Sequence, residues 1–331
     1  MENKLAVILP VYNSQSTILR AAQSILDSDF DDFELLIVDD GSTDNTYRQV
    51  ASLNDRRVRV LRKKHEGVVS TFNVGLRNTQ ARWIARMDAD DVSTADRLGK
   101  QLSVLQSDSV DVVGGKVKIL DFEGTPVPSM LRYETWINSL IDATSISAFR
   151  FVESPIVQPT VMARREVFEL GYRDGPWPED YDLWLRAMRQ GFRFAKIADL
   201  VLTWTDHNRR LTRSDARYSP EAFDRCRQMH LLEGPLKGIP SVRLWGAGKT
   251  GKPWLRWFRS NNIAVHTLID VSQRKIGEMI HGVRVSAPDD LPRADNQPLI
   301  VAVGAEGARE LILNHIKNLG YVPGENTWFL A

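Results

Sequence analysis

Three aspartates lie close together in the run Asp88-Ala89-Asp90-Asp91. Carboxylates at this spacing repel one another unless a cation lies between them. Their hard oxygen atoms suit a divalent cation, which can stabilise the charge that develops on a diphosphate leaving group. The run therefore predicts a metal site that serves phosphate chemistry. An acidic turn or a helix N-cap would explain the same residues without an ion, because Asp is favoured at both.

Two further acidic pairs could act together with this run. Asp39-Asp40 follows an apolar stretch and precedes Gly41-Ser42, where a carboxylate could accept hydrogen bonds from a nucleobase imide or a ribose hydroxyl. In the pair Glu179-Asp180, Asp180 is our candidate for the base that takes the proton from an attacking hydroxyl group. The alternative for this second pair is an ordinary helix start, since first-turn carboxylates stabilise the helix dipole.

A basic segment, Thr205–Arg213, contains one histidine and three arginines. Neutral His207 could complete the coordination of a metal, and an arginine could hold a diphosphate through two parallel hydrogen bonds. We assign contacts with the diphosphate or the acceptor to Glu179, Arg210 and Arg213. A solvated basic face is the alternative interpretation of the same charges.

Short apolar runs alternate with stretches of helical periodicity in the first part of the chain. We predict strands at Leu5–Leu9, Phe33–Val38, Val58–Leu61, Trp83–Met87 and Val112–Leu120. Such alternation is typical of an open α/β sheet, in which ligands bind beyond the carboxyl ends of the strands. Both acidic turns, Asp39-Asp40 and Asp88 to Asp91, fall at such ends.

A second strand and helix pattern follows the Gly- and Pro-rich run at 232–240, which we interpret as a linker. In this part Gly246, Gly248 and Gly251 satisfy G-x-G-x-x-G between a strand and a helix, and Asp270 lies 19 residues beyond Gly251, where an acid could meet a ribose. Tight turns also use glycine for packing alone. These four residues are therefore a candidate second nucleotide site.

Length and composition suit a soluble protein of two domains, which we expect at 1–235 and 236–331 of the 331 residues. The formal net charge of +1 argues against nucleic acid as a partner. The single cysteine, Cys226, rules out an internal disulfide and fits a reducing compartment. Because apolar runs are shorter than the roughly 18 residues of a membrane helix, we expect a cytoplasmic protein, with peripheral association at the inner face of the membrane as a variant.

Four pieces of sequence follow one another over residues 1–232. They are Leu9-Pro10-Val11-Tyr12-Asn13, Val38-Asp39-Asp40-Gly41-Ser42-Thr43-Asp44, Met87-Asp88-Ala89-Asp90-Asp91, and Pro178-Glu179-Asp180-Tyr181-Asp182-Leu183-Trp184-Leu185-Arg186. In this order they resemble glycosyltransferase family 2, the inverting enzymes of GT-A fold. The resemblance implies a mixed, mainly parallel sheet flanked by helices, and the segment from Ser241 resembles a small Rossmann-like α/β domain.

The resemblance also implies roles for individual residues. Asp180 would be the catalytic base of a single, inverting displacement, and His207 would meet the metal or the diphosphate. The ion would be Mn²⁺ or Mg²⁺, held at the acidic run together with the ribose. Residues implied in nucleotide-sugar binding are Pro10, Tyr12, Asn13, Asp40, Arg86, Asp88 and Asp90, and those implied in metal binding are Asp90, Asp91 and His207.

The implied partners are a nucleotide-sugar donor, UDP-sugar being our expectation, and a saccharide or lipid-linked acceptor in cell-envelope polysaccharide or lipopolysaccharide synthesis. A nucleotidyltransferase is the alternative enzyme, but the stretch Pro10-Val11-Tyr12-Asn13-Ser14 lacks the Gly and Lys of a phosphate loop. A catalytically silent nucleotide-binding scaffold is the non-enzymatic alternative. The carboxylates of Asp88, Asp90, Asp91 and Asp180 argue against it.

Overall fold

The computed structural model describes residues 4–107 and 109–331. Their contacts divide into two compact units. The first unit contains residues up to 146 together with Ile156–Cys226, and the second contains Ser147–Pro155 together with Arg227–Ala331. The domain boundary near residue 236 stays a prediction.

The strands and helices are numbered in chain order. The strands are β1 (Leu5–Val11), β2 (Phe33–Asp39), β3 (Val58–Arg62), β4 (Trp83–Arg86), β5 (Val92–Ser93), β6 (Val112–Leu120), β7 (Met162–Arg164), β8 (Phe194–Thr205), β9 (Ser241–Trp245), β10 (Ala264–Ile269), β11 (Met279–Ile280), β12 (Val283–Ser286), β13 (Leu299–Val301) and β14 (Thr327–Phe329). The helices are α1 (Ile18–Leu26), α2 (Thr46–Ala51), α3 (Val68–Arg77), α4 (Arg97–Gln106), α5 (Leu131–Ser139), α6 (Ala143–Phe149), α7 (Arg165–Glu169), α8 (Glu179–Arg189), α9 (Leu211–Ser214), α10 (Pro220–Glu233), α11 (Gly251–Ser260) and α12 (Ala308–Ile316).

The first unit is built on an eight-stranded sheet in the order β3-β2-β1-β4-β7-β6-β8-β5. Strands β1 to β4 are parallel, whereas β7 runs antiparallel to both β4 and β6. Every residue of β1 is buried, which explains why its sequence is apolar without alternation. The amphipathic helix α1 buries Ile18, Ala21, Ala22 and Ile25, so apolar surface on helix and sheet is removed from water together.

This topology sets the carboxyl ends of β1, β2 and β4 along one edge, because β1 pairs in parallel with both of its neighbours. The strands predicted at this edge are present, and the prediction of a mixed, mainly parallel α/β sheet is confirmed. Strand β8 and helix α4 were not predicted. Residues 198–200 of β8, which include Asp199, are exposed and interrupt its buried pattern, and the register with β6 also shifts there.

The second unit has its own, smaller sheet in the order β11-β12-β10-β9-β13-β14. Its strands are parallel except β11, which pairs antiparallel with β12. The segment Ser147–Pro155 packs on β14, where the Phe149 and Phe329 ring centroids lie 5.4 Å apart. A smaller α/β sheet after the first one was predicted, and it is present.

Candidate functional site

The acidic run lies directly after β4, and its carboxylates converge. One oxygen atom from each of Asp88, Asp90 and Asp91 lies within 4.8 Å of the others. Asp88 and Asp90 are partly exposed, whereas Asp91 is fully buried. Carboxylate oxygens at this spacing, two of them facing solvent, form a donor set that fits a divalent cation.

Arg210 lies inside this cluster. Its Nη1 donates to Asp91 Oδ1 at 2.7 Å and lies 3.5 Å from Asp90 Oδ2, and its Nη2 lies 3.7 Å from Asp88 Oδ2. Burial raises the pKa of Asp91 to about 7, against the opposing effect of the guanidinium. Burial alone would lower the pKa of Arg210, but Asp91 and Asp90 outweigh it and raise that pKa. The aspartates thus already have one cation of the chain's own among them.

Asp90 and Asp88 have different partners. His207 Nε2 lies 2.9 Å from Asp90 Oδ2, so the predicted metal residues Asp90 and His207 are in direct contact. Arg86 Nη2 lies 2.8 Å from Asp88 Oδ1, and Arg86 is buried. The structure therefore places Arg86, which the resemblance implied in nucleotide-sugar binding, in an ion pair with the acidic run.

Arg97 was not predicted, and it binds the backbone just before the acidic run. It is fully buried in α4, and its Nη2 donates to the carbonyl oxygen of Arg86 at 2.8 Å while its Nε donates to Gln101 Oε1 at 3.0 Å. Burial lowers the pKa of Arg97 to about 10. An arginine on a helix of mixed polarity gives no sequence sign of burial, so no local pattern could have identified it.

Asp40 lies at the end of β2 as predicted, but its carboxylate is saturated by the loop that follows β3. Its Oδ1 accepts from Lys63 Nζ at 2.7 Å and from the Glu66 amide at 3.0 Å. Its Oδ2 accepts from the Gly67 amide at 2.8 Å and lies 2.9 Å from His65 Nδ1. Burial opposes the charge of Asp40, yet the bonds from Lys63 and the amides lower its pKa. Lys63 and His65 were not predicted as partners of Asp40.

Gly41 makes this close approach feasible. It has a φ of +74°, and a Cβ atom there would lie 2.9 Å from the His65 amide nitrogen. A side chain would therefore push the 63–67 loop away from β2.

The stretch Pro10 to Asn13 lies at the end of β1, beside Asp40. Tyr12 is exposed at 42% and stacks on His65 with ring centroids 4.0 Å apart.

The Asn13 amide donates to Ser42 Oγ at 2.9 Å, and Asn13 Oδ1 accepts from the Thr43 amide at 2.8 Å. Pro10 is buried in the sheet opposite Val38. Of these residues, Tyr12 offers the aromatic face that is accessible to a ligand.

Asp180 begins α8 together with Glu179. Burial raises the pKa of Asp180 to about 8, and the charges of Glu179 and Asp88 act in the same direction. Because Asp88 affects the pKa of Asp180, the charges of the acidic run and of the pair Glu179-Asp180 interact. A carboxylate with a pKa near neutrality is suited to proton transfer.

Glu179 is buried behind Asp180. Tyr218 Oη lies 2.9 Å from Glu179 Oε1 and 2.7 Å from Oε2, so the phenol donates to this carboxylate. Burial raises the pKa of Glu179, although the Tyr218 hydrogen bond opposes the shift. Tyr218 was not predicted, because 39 residues separate it from Glu179. Glu179 thus faces Tyr218 in the described structure, and its predicted contact with the diphosphate or the acceptor stays a prediction.

Arg213 also points to a protein carboxylate. Its Nε donates to Asp206 Oδ1 at 2.9 Å and its Nη2 to Asp206 Oδ2 at 2.5 Å. Arg210 and Arg213, predicted to act alike, therefore differ: the first lies within the acidic cluster and the second pairs with Asp206.

The glycine turn of the second unit follows β9. A Cβ atom on Gly246 would lie 2.4 Å from the Ala302 carbonyl oxygen, and one on Gly251 would lie 1.7 Å from the Gly246 carbonyl oxygen. At Gly248 the nearest atom would be Lys275 Nζ at 3.7 Å. Packing thus accounts for Gly246 and Gly251 but not for Gly248.

Asp270, at the end of β10, closes this turn. Its Oδ2 accepts from the Ala247 amide at 2.9 Å and from Lys275 Nζ at 2.9 Å. Burial opposes its charge, but these bonds lower its pKa. Nucleotide binding at Gly246, Gly248, Gly251 and Asp270 stays a prediction.

Comparisons with known proteins identify the family of this chain. A model of the family described as glycosyl transferase family 2 matches residues 6–171. An uncharacterized glycosyltransferase of Haemophilus influenzae is 28% identical over 204 residues, which are 58% of this chain and 62% of that protein. An Escherichia coli O-antigen biosynthesis glycosyltransferase, WbnJ, is 26% identical over 225 residues, 65% of this chain and 84% of that protein. The chain thus spans less than two thirds of the H. influenzae relative.

A crystal structure of S. aureus TarS in complex with UDP-GlcNAc superposes with a TM-score of 0.56 and 22% identity, covering 72% of this chain and 68% of that one. This likeness supports the GT-A type fold that the sequence predicted. Among the described residues, no helix is both long enough and apolar enough to cross a membrane.

Proposed function

The chain belongs to glycosyl transferase family 2, and we propose that it moves a sugar from a nucleoside diphosphate donor to a hydroxyl group of an acceptor, with inversion at the anomeric carbon. The observation that carries this proposal is the convergence of Asp88, Asp90 and Asp91 after β4, where one oxygen atom from each lies within 4.8 Å of the others. Asp88 belongs to the acidic run, and its charge helps to raise the pKa of Asp180. A site for the leaving diphosphate and a base for the attacking hydroxyl would then be close enough for their charges to interact.

The donor end of the site would use the acidic run. Asp90 and His207, which touch each other, and the partly exposed Asp88 would hold Mn²⁺ or Mg²⁺. A bound divalent cation supplies positive charge to the leaving diphosphate. Asp91 fits this role less well, because its carboxylate accepts from Arg210 and from the Thr205 amide.

The nucleobase would lie on the other side of the acidic run, against Tyr12. The exposed ring of Tyr12, braced by His65, offers a stacking face, and aromatic stacking tolerates different bases. Asp40 would act on the base indirectly, since its oxygens hold Lys63 and the Glu66 and Gly67 amides. Asn13 would fix the loop beside it.

The acceptor end would use Asp180. Its carboxylate takes the proton from the acceptor hydroxyl as that oxygen attacks the anomeric carbon from the side opposite the diphosphate. The C–O bond to the diphosphate breaks in the same displacement, so the anomeric configuration inverts and the chain forms no covalent bond with the sugar. Tyr218 and Glu179 hold the start of α8 in place for this step.

UDP-sugar is the donor that we propose, because TarS, which shares the fold, binds UDP-GlcNAc. A saccharide or lipid-linked acceptor in cell-envelope polysaccharide synthesis is the acceptor class, because WbnJ acts in O-antigen biosynthesis. Such acceptors would bring the protein to the inner face of the membrane.

The test is a transfer assay with a panel of UDP- and GDP-sugars, saccharide acceptors and Mn²⁺. We expect UDP release coupled to sugar transfer, and NMR of the product should show the anomeric configuration opposite to that of the donor. Retention of configuration would refute the single displacement. Formation of pyrophosphate from a nucleoside triphosphate and a sugar phosphate would instead establish the nucleotidyltransferase alternative, and metal-dependent UDP binding without turnover would establish the scaffold.

A further inference from the structure

Arg210 is buried among the aspartates of the acidic run, whereas a residue that binds a substrate has to be accessible to it. Its side chain is only 6% exposed. Nη1 donates both to Asp91 Oδ1 at 2.7 Å and to the Thr205 carbonyl oxygen at 2.9 Å. The guanidinium also lies over the ring of Trp204, 4.9 Å from its centroid. Its hydrogen-bonding capacity is therefore largely used within the protein.

Asp91 is the matching partner. It is fully buried, and its Oδ1 also accepts from the Thr205 amide at 2.9 Å. Asp91 and Arg210 both bind Thr205, the last residue of β8, and so connect the end of β8 to the turn after β4. A buried ion pair of this kind is costly to break by removing one partner, because the other is left as an uncompensated charge.

That uncompensated charge would lie next to the residues that we propose for the cation. Arg210 Nη1 is 3.5 Å from Asp90 Oδ2, and Asp90 contacts His207. When Asp91 is ionised, the positive charge of Arg210 is balanced and the negative charge of Asp90 remains available to an ion. Without Asp91, the same guanidinium would compete with the ion for Asp90.

We propose that Arg210 is a positioning residue that acts through Asp91: the pair holds the segment from Thr205 to Arg210 on the acidic run and sets the affinity of Asp90 and His207 for a divalent cation. The inference deepens the proposed function and rests on it, since that function names the cation. It assigns Asp91 and Arg210 to charge balance, in place of the metal and diphosphate contacts predicted from the sequence.

The test is a double-mutant cycle on the full chain, with Mn²⁺ alone as the probe in isothermal titration calorimetry. The variants are Asp91→Asn, Arg210→Gln and the double variant that carries both. We expect Asp91→Asn to weaken Mn²⁺ binding by about tenfold or more, since about one pKa unit of lost interaction corresponds to that factor. The double variant should return to within about threefold of the wild type, because both charges are removed together.

Two controls distinguish a loss of charge balance from a loss of folding stability. Arg210→Lys keeps the positive charge and should bind Mn²⁺ within about threefold of the wild type, while the melting temperature of every variant reports lost packing. If the single variants fail to fold, the double variant and Arg210→Lys still decide the question.

Three results would overturn the inference. A double variant that stays as weak as Asp91→Asn would make Asp91 a direct metal ligand. An Arg210→Gln variant that binds Mn²⁺ like the wild type but loses UDP binding would make Arg210 a diphosphate ligand. A wild-type protein that transfers sugar without binding Mn²⁺ would remove the basis of the inference and the proposed role of the cation, while the proposed sugar transfer would stand.

Discussion

The turn after β4 and the turn after β9 both follow a fully buried strand that pairs in parallel with a neighbour. In the first, three carboxylates converge and two of them stay partly exposed. In the second, the acid of the motif, Asp270, is buried and already accepts from Ala247 and Lys275. Equivalent positions in two sheets therefore carry motifs of different kinds.

The two motifs differ in whether packing within the fold is enough to explain their residues. Gly246 and Gly251 are required by the close approach of backbone carbonyls, so the fold alone explains them. Asp88 and Asp90 pair with Arg86 and His207, but both carboxylates stay partly exposed and no close approach of the backbone requires them. A motif that the fold does not need is the stronger sign of a ligand, which favours the acidic run over the glycine turn.

Replacing the base should have the largest effect on the first region. We expect Asp180→Asn to reduce kcat by about 10² to 10⁴ fold, the usual contribution of general base catalysis. Donor binding measured by calorimetry and the melting temperature should stay close to wild-type values, because the amide keeps the shape of the side chain. Equal kcat for variant and wild type would show that another group takes the proton.

The glycine turn offers a matched pair of variants. Gly251→Ala should destabilise the protein by about 1 to 3 kcal/mol, because its Cβ would overlap the Gly246 carbonyl oxygen. Gly248→Ala should cost less than about 0.5 kcal/mol, since the nearest atom there is 3.7 Å away. Urea denaturation measures both, and equal losses would break the packing explanation.

The pH dependence of the first region follows from Asp180. Its pKa is raised to about 8 by burial, and the base must be ionised to accept a proton. We expect kcat/KM to rise about tenfold per pH unit below that pKa and to level off above it. A profile that is flat between pH 6 and 8 would contradict the raised pKa, and the same profile in Glu179→Gln would test the contribution of the neighbouring charge.

The sequence predicted the parallel part of the first sheet because β1 and β2 are continuous apolar runs that end in polar turns. It also located Asp88, Asp90 and Asp180, because carboxylates in short runs are visible without a fold. It could not predict that Lys63 would saturate Asp40 or that Arg210 would pair with Asp91, since 23 and 119 residues separate these partners. The pairing of β8 with β5 and β6 brings the second pair together, and no local sequence pattern encodes a pairing between strands so far apart in the chain.

Whether the acidic run holds the cation is tested most directly by calorimetry of UDP binding with and without Mn²⁺, on the wild type and on Asp90→Asn. We expect Mn²⁺ to tighten UDP binding by about tenfold or more in the wild type, and to have little effect in Asp90→Asn, which loses the carboxylate that contacts His207. Equal enhancement by Mn²⁺ in both proteins would contradict the claim that the acidic run after β4 holds the cation and the nucleotide.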